Sequence, residues 1–142
     1  AERVHVLTQV RDLTKLKSEV LAMRQKMLDG HPNASASFDL KHDRGGMVDI
    51  EFIVQYLVLA HAHRHGDLVR NLGNIALLQM AAGMRLIDMA LAREVADAYR
   101  VFRALQHRLR LNGAERARVE PVEVEVQAAA VRRLWAEVFG VD

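Results

Sequence analysis

Cysteine is absent from this sequence. Disulfides and thiol chemistry are therefore excluded, and the composition fits a cytoplasmic location. Proline occurs only twice and glycine eight times, so few positions break a helix. Neither sign of charge dominates: the formal net charge is +2, and a pI near 9.3 reflects a slight excess of arginine. That is weak evidence for nucleic acid. Apolar runs stay short of the roughly 18 residues of a membrane span, so no membrane partner is expected. The first residues, Ala1-Glu2-Arg3, carry no apolar export signal. They also lack an initiating Met, and we expect a piece of a larger protein.

What is present points to one folded domain. The 142 residues match the commonest domain size. Hydrophobic residues at 51% and charged residues at 27% suit a packed core rather than disorder. Ala, Leu, Met, Arg and Glu are abundant and favour helix. Apolar spacing predicts a helix over 13–28, with Leu13, Leu16, Val20, Met23 and Met27 as its stripe, Asp12 as its cap and Gly30 as its stop. Upstream, Val4, Val6, Thr8 and Val10 alternate as a strand would, yet Val6, Val10 and Leu13 also fit a helix. Helix is preferred, with a break near Arg11, because a lone strand would lack a partner.

Residues 30–46 read as a loop, with His31 to Ser37 its most flexible part. A second helix is expected over 47–65, ended by Gly66. From Phe52 to Ala62 it is apolar on nearly every side, which is the mark of a central helix. A third runs from Asn74 to Gly83. A fourth spans 88–111, with Leu91, Val95, Ala98, Phe102, Leu105 and Leu109 inward and Asn112-Gly113 at its end. A last helix covers 122–139, with Val124, Ala128, Val131, Trp135 and Val138 on one face. The alternation of Val119 to Val126 resembles a strand, but Pro121 argues against a central one, and a helix start is preferred. The fold class is all-α: a single helical bundle of five or six helices, with a long loop before the central helix. The whole of 1–142 is expected to be one helical domain.

The most distinctive segment runs from Phe38 to Leu57. A charged loop closes on Gly45-Gly46, two acids follow at Asp49 and Glu51, and an apolar helix then carries one glutamine, Gln55. Glycines leave the backbone free to turn and open to close approach. The unpaired N–H groups of the helix start have two candidate acceptors, Asp43 or a bound anion. Acids in the first turn suit the helix dipole, so a plain capped helix explains the pattern fully. GxxxxGK[ST] and GxGxxG are both absent. Glu51 and Gln55 share a face, whereas Asp49 and Glu51 point to different sides and make a poor metal pair. Lys41 precedes the glycines, placed to pair with Asp49, to face a phosphate or simply to be solvated.

Asp39, Lys41, Gly45, Gly46, Asp49, Ile50, Glu51, Phe52 and Gln55 together resemble the second, adenylyl-transferring half of bacterial glutamate–ammonia-ligase adenylyltransferases. These enzymes also carry a related deadenylylating half and are kin to the uridylyltransferases of nitrogen signalling. The likeness extends more loosely upstream through Val20, Met23, Arg24 and Met27, and downstream through Asn74 to Trp135. The resemblance implies that 1–142 is the C-terminal fragment of a larger multidomain enzyme, with an upstream nucleotidyltransferase domain in the same polypeptide whose Gly-Ser and following paired aspartates hold Mg2+ and align ATP. No Gly-Ser pair occurs here. The fragment is thus expected to be inactive alone, to hold no catalytic residue and no metal, and to bind no cofactor tightly; Mg2+ and ATP belong to the parent enzyme. The parent reaction moves AMP from ATP onto a tyrosine of glutamine synthetase. Lys41, Gly45, Gly46, Asp49, Glu51 and Gln55 are then the wall facing the catalytic domain. A β-branched residue at Gly46 is expected to cut transfer and leave this domain folded.

Other clusters read more plainly. His61 and His65 share a helix face and His63 does not, so these are ordinary helix-end histidines. Arg85, Arg93, Arg100, Arg103, Arg108 and Arg110 make the fourth helix basic, but Asp88, Glu94 and Asp97 interrupt them, and no aromatics interleave as they do in single-strand binders. A solvated face is expected, with no nucleic-acid partner. Trp135 and Phe139 read as core or domain-packing residues, and the methionines at 23, 27, 80, 84 and 89 as core filler. Two other functions stay open. One is an interaction module that docks glutamine synthetase or the small nitrogen-signalling regulatory protein. The other is a stand-alone helical protein.

Overall fold

The computed structural model describes residues 12–69 and 73–141. Five α-helices carry them: α1 (Leu13–Gly30), α2 (Met47–His61), α3 (Asn74–Gly83), α4 (Met89–Leu111) and α5 (Glu125–Phe139). Two 3-10 turns, Gly66–Val69 and Pro121–Val124, precede α3 and α5. The fold is the all-α bundle expected. The alternating segment from Val4 to Val10 lies outside the described residues.

Each helix start has a local cause. Asp12 accepts from the Lys15 N–H at 3.2 Å, and Asp88 accepts from the Leu91 N–H at 2.8 Å; both are N-caps. Before α5, Glu120 and Glu123 form a reciprocal capping box around Pro121. The chain leaves α5 through Gly140 in the left-handed conformation, φ 74°.

The apolar α2 lies at the centre and packs against all four other helices. Ile50 and Ile53 of α2 are fully buried, with Leu78, Val95, Phe102, Val131, Leu134 and Trp135 around them. Two short strands add a detail the sequence reading lacks. Phe38–Asp39 (β1) pairs antiparallel with Arg118–Val119 (β2), Phe38 opposite Val119 and Asp39 opposite Arg118. This ladder ties the loop before α2 to the connection between α4 and α5. Of the alternating segment from Val119 to Val126 only Val119 is in the ladder; Pro121 opens a 3-10 turn and the rest leads into α5, as the preferred helix start anticipates.

Three expectations need correction. The helix predicted to reach His65 ends at His61, and the chain turns there so that Leu68, 2% exposed, returns to the core. The predicted stripe of α1 is rotated. Leu16, Val20 and Arg24 face inward, while Leu13 and Met23 are 41% and 53% exposed. Met89 is also exposed rather than core. The apolar residues of α1 do not outnumber its polar ones enough to fix its rotation, and Arg24 does so through a partner in α2.

Candidate functional site

The six residues of the Gly45-Gly46 segment divide into two sets. Gly45, Gly46 and Asp49 face inward; Lys41, Glu51 and Gln55 are exposed. The inward set is held by a buried ion pair. The guanidinium of Arg24 donates to both carboxylate oxygens of Asp49, from Nε at 2.9 Å and from Nη2 at 2.7 Å. The side chains are 6% and 3% exposed. Such a bidentate fork fixes orientation as well as charge. Asp49 Oδ2 also accepts from the Gly45 N–H at 2.9 Å. On its other side the Arg24 guanidinium lies 3.9 Å from the ring centroid of Trp135, a cation–π contact in a dry setting. One residue of α2 thereby joins α1, the glycine turn and α5. Asp49 pairs with Arg24 and not with Lys41.

The glycines are required by this packing. Gly45 has φ +89°, and a Cβ on it would lie 2.9 Å from the Ala128 carbonyl oxygen in α5. A Cβ on Gly46 would lie 2.7 Å from the Leu40 carbonyl oxygen and 2.9 Å from that of Asp43. The same carbonyls serve the start of α2. Gly46 N–H donates to Asp43 O at 2.9 Å, Met47 N–H to Leu40 O at 2.8 Å, and Val48 N–H to Lys41 O at 3.0 Å. The N–H groups of Gly46, Met47 and Val48 at the helix start are therefore satisfied by their own loop and not by an anion. The Asp43 carboxylate is used elsewhere, accepting from Asn33 Nδ2 at 2.9 Å and from the Asp39 N–H at 3.0 Å. A β-branched residue at Gly46 would strike backbone that holds the domain together, so the expectation that such a variant folds normally is withdrawn.

The outward set shares a surface. Glu51 has its pKa raised by partial burial, and the nearby Lys41 ammonium opposes that shift. Gln55 stands one turn beyond Glu51 on the same face of α2. The acids do not make a magnesium site: Asp49 is committed to Arg24 and Gly45, Glu51 points the other way, and among the described residues no group of three His, Asp or Glu side chains converges. That covers His61, His63 and His65 as well. His61 has its pKa lowered by burial and by the neighbouring His65, His63 and Arg64.

Sequence reasoning left Arg24 as a loose match and read Trp135 as a core or domain-packing residue. Leu16, Val20 and Arg24 at i, i+4 and i+8 are the available signal for a buried arginine. A charge on an apolar stripe needs an acid from elsewhere, and Asp49 is the acid on the buried side of α2.

Comparison with known proteins settles the family. A model described as GlnD PII-uridylyltransferase matches residues 14–135. The chain belongs to the GlnD PII-uridylyltransferase family. It is also 57% identical over 140 residues, 99% of its length, to the bifunctional glutamine synthetase adenylyltransferase/adenylyl-removing enzyme of Burkholderia mallei. It is 54% identical over 97% of its length to the Aromatoleum aromaticum enzyme of the same name, and 46% identical over 97% to that of Nitrosomonas europaea. The chain spans only 15%, 15% and 16% of those proteins. It thus corresponds to a helical segment of about 140 residues of the bifunctional enzymes.

Proposed function

We propose that this chain is the helical domain that follows the second, adenylyl-transferring nucleotidyltransferase domain of a bifunctional glutamine synthetase adenylyltransferase, at the C-terminal end of that enzyme. The neighbouring domain supplies Mg2+-bound ATP and the transfer of AMP to a tyrosine of glutamine synthetase in the cytoplasm; this domain frames the site and does not itself carry out the chemistry. The observation that carries the reading is the division of the motif into an inward half that fixes a turn and an outward half, Lys41, Glu51 and Gln55, whose exposed side chains make no hydrogen bond or ion pair among the described residues. Gly45, Gly46 and Asp49 set the shape, and the three exposed side chains meet the catalytic domain. Partial burial raises the pKa of Glu51, and a basic group across the boundary would lower it again.

The test is transfer of AMP to glutamine synthetase by the full-length enzyme carrying Lys41→Ala, Glu51→Gln and Gln55→Ala together. A loss of about 10²-fold or more is expected, a size ordinary for misplaced positioning groups, with the melting of this domain unchanged. Full activity in that triple variant sinks the reading, as does transfer by the isolated 142-residue chain.

A second reading has its own observation. Val122 and Val126 are each 75% exposed, and Val122 lines a hollow of about 840 Å3 together with Phe38, Ala128 and Ala129. If this face docks glutamine synthetase or the nitrogen-signalling regulatory protein, Val122→Asp and Val126→Asp raise KM for the synthetase and leave kcat alone. The triple variant above would then have little effect.

A further inference from the structure

We infer that the cleft between the end of α1, the β1–β2 ladder and the end of α4 binds a small phosphate-bearing anion. The inference concerns this domain alone and does not rest on the reading above. The cleft has a volume of about 510 Å3, within the range of small-molecule sites. Its cations come from three separate pieces of chain: Lys41 from the loop before α2, Arg110 from α4, and Arg116 and Arg118 from the connection to α5. Sequence distance hides this convergence, which the two-residue ladder creates.

The charge is available. Among the described residues Arg110, Arg116 and Arg118 have no ion-pair partner. Two carboxylates, Asp39 and Glu115, also line the cleft. Asp39 is already engaged: its Oδ1 accepts from the N–H groups of Lys41 and His42 at 2.9 and 3.0 Å, and its Oδ2 lies 3.8 Å from His42 Nδ1. Glu115 is exposed at the rim. The Nε of Arg118 is buried and finds no acceptor among the described residues. A buried guanidinium N–H without a partner is costly, and an anion seated in the cleft would satisfy it. Ladder pairing of Arg118 with Asp39 holds its backbone in place. His31 and His42 stack at 3.7 Å with planes 6° apart and form a flat wall.

Arginine forks match phosphate oxygens in pairs, which a scattered basic surface does not. The rest of the basic face of α4 is spent differently: Arg100 pairs with Asp97 at 2.7 Å, and Arg103 lies 5.8 Å over the ring of Tyr99. Arg93 and Arg108 of α4 also have no ion pair among the described residues, but neither lines the cleft; what sets Arg110, Arg116 and Arg118 apart is their convergence there with Lys41.

The experiment is calorimetric titration of the 142-residue chain with inorganic tripolyphosphate, ATP and sulfate at physiological salt. Saturable one-to-one binding of tripolyphosphate is expected by about 1 mM. Arg110→Gln and Arg116→Gln, both at exposed positions and so harmless to the fold, should each weaken it about tenfold. Arg118→Gln should weaken it further, with circular dichroism confirming a folded chain, while Arg93→Gln at the far end of α4 should change nothing. Equal affinity for ATP and tripolyphosphate identifies the phosphate chain as the recognised part; tighter ATP binding identifies a nucleotide. No saturation by that concentration, a sulfate response as strong as that to tripolyphosphate, or equal weakening by Arg93→Gln overturns the assignment.

Discussion

Two ion pairs in this molecule have the same closest approach and different consequences. Arg24–Asp49 and Arg100–Asp97 both close to 2.7 Å. The first is 6% and 3% exposed, and the second 51% and 66%. Water competes for both partners of the surface pair, so its formation changes little. The buried pair has given up its hydration, and the fork, the Gly45 N–H and the Trp135 ring replace what water supplied. The contrast shows that the information in an ion pair lies in its surroundings, and that the glycine turn is held from inside the domain.

The largest effect should come from breaking the inner pair. Asp49→Ala leaves Arg24 buried and unpaired, and a loss of about 3–5 kcal/mol is expected in chemical denaturation. Fluorescence of the only tryptophan, Trp135, which stacks on Arg24, should shift in the same variant. Removing both charges with Arg24→Met and Asp49→Leu should recover part of that loss but not all, because the Gly45 N–H would still lack its acceptor, at about 1–3 kcal/mol. Complete recovery would show that the Gly45 contact carries nothing.

Gly45→Ala comes next. The left-handed backbone and the approach to Ala128 together should cost about 1–3 kcal/mol, and a thermal midpoint equal to the parent's would remove the glycine from the account. Smaller again is the effect of pH. Burial lowers the pKa of His42 and of His61 below the ordinary 6.5. The unfolded chain therefore takes up these protons first, and their contribution to stability is full above 6.5 and drains as pH falls below it. Glu51, raised above 4.5, acts oppositely: its contribution is present below 4.5 and lost as pH rises through its raised value. The thermal midpoint should fall between pH 7 and 5.5, and His42→Asn with His61→Asn should flatten that slope. At the bottom of the scale, Asp97→Asn should change stability by about 0.3–0.5 kcal/mol; a larger loss would erase the distinction between the two pairs.

Helix positions were legible where a local signal exists. Asp12 and Asp88 cap their helices, and the uniform apolarity of α2 placed it centrally, as found. The end of α2 was not legible, because the turn at His61 answers to the burial of Leu68 and not to a nearby glycine or proline. Nor was the β1–β2 ladder, which two distant residue pairs create. For the motif, the sequence identified the residues but not their facing. Asp49 and Glu51 were rightly separated onto two sides. That Gly45 packs against α5 depends on Ala128, far along the chain. The partner of Asp49 was equally hidden, since a lone arginine on α1 gives no hint of being buried until its acid is placed.

The ladder of Phe38–Asp39 with Arg118–Val119 is only two residues long, yet it is the clasp between the first half of the chain and the last. Short clasps open more readily than helices. When this one opens, Asp39 and Arg118 separate together, so the floor of the cleft and the loop leading to Gly45 lose their hold in one event. A ligand that bridges Lys41 and Arg118 would close the clasp from outside and slow amide exchange along the loop before α2. The glycine turn would then register, through nothing more than backbone order, whether the cleft is filled.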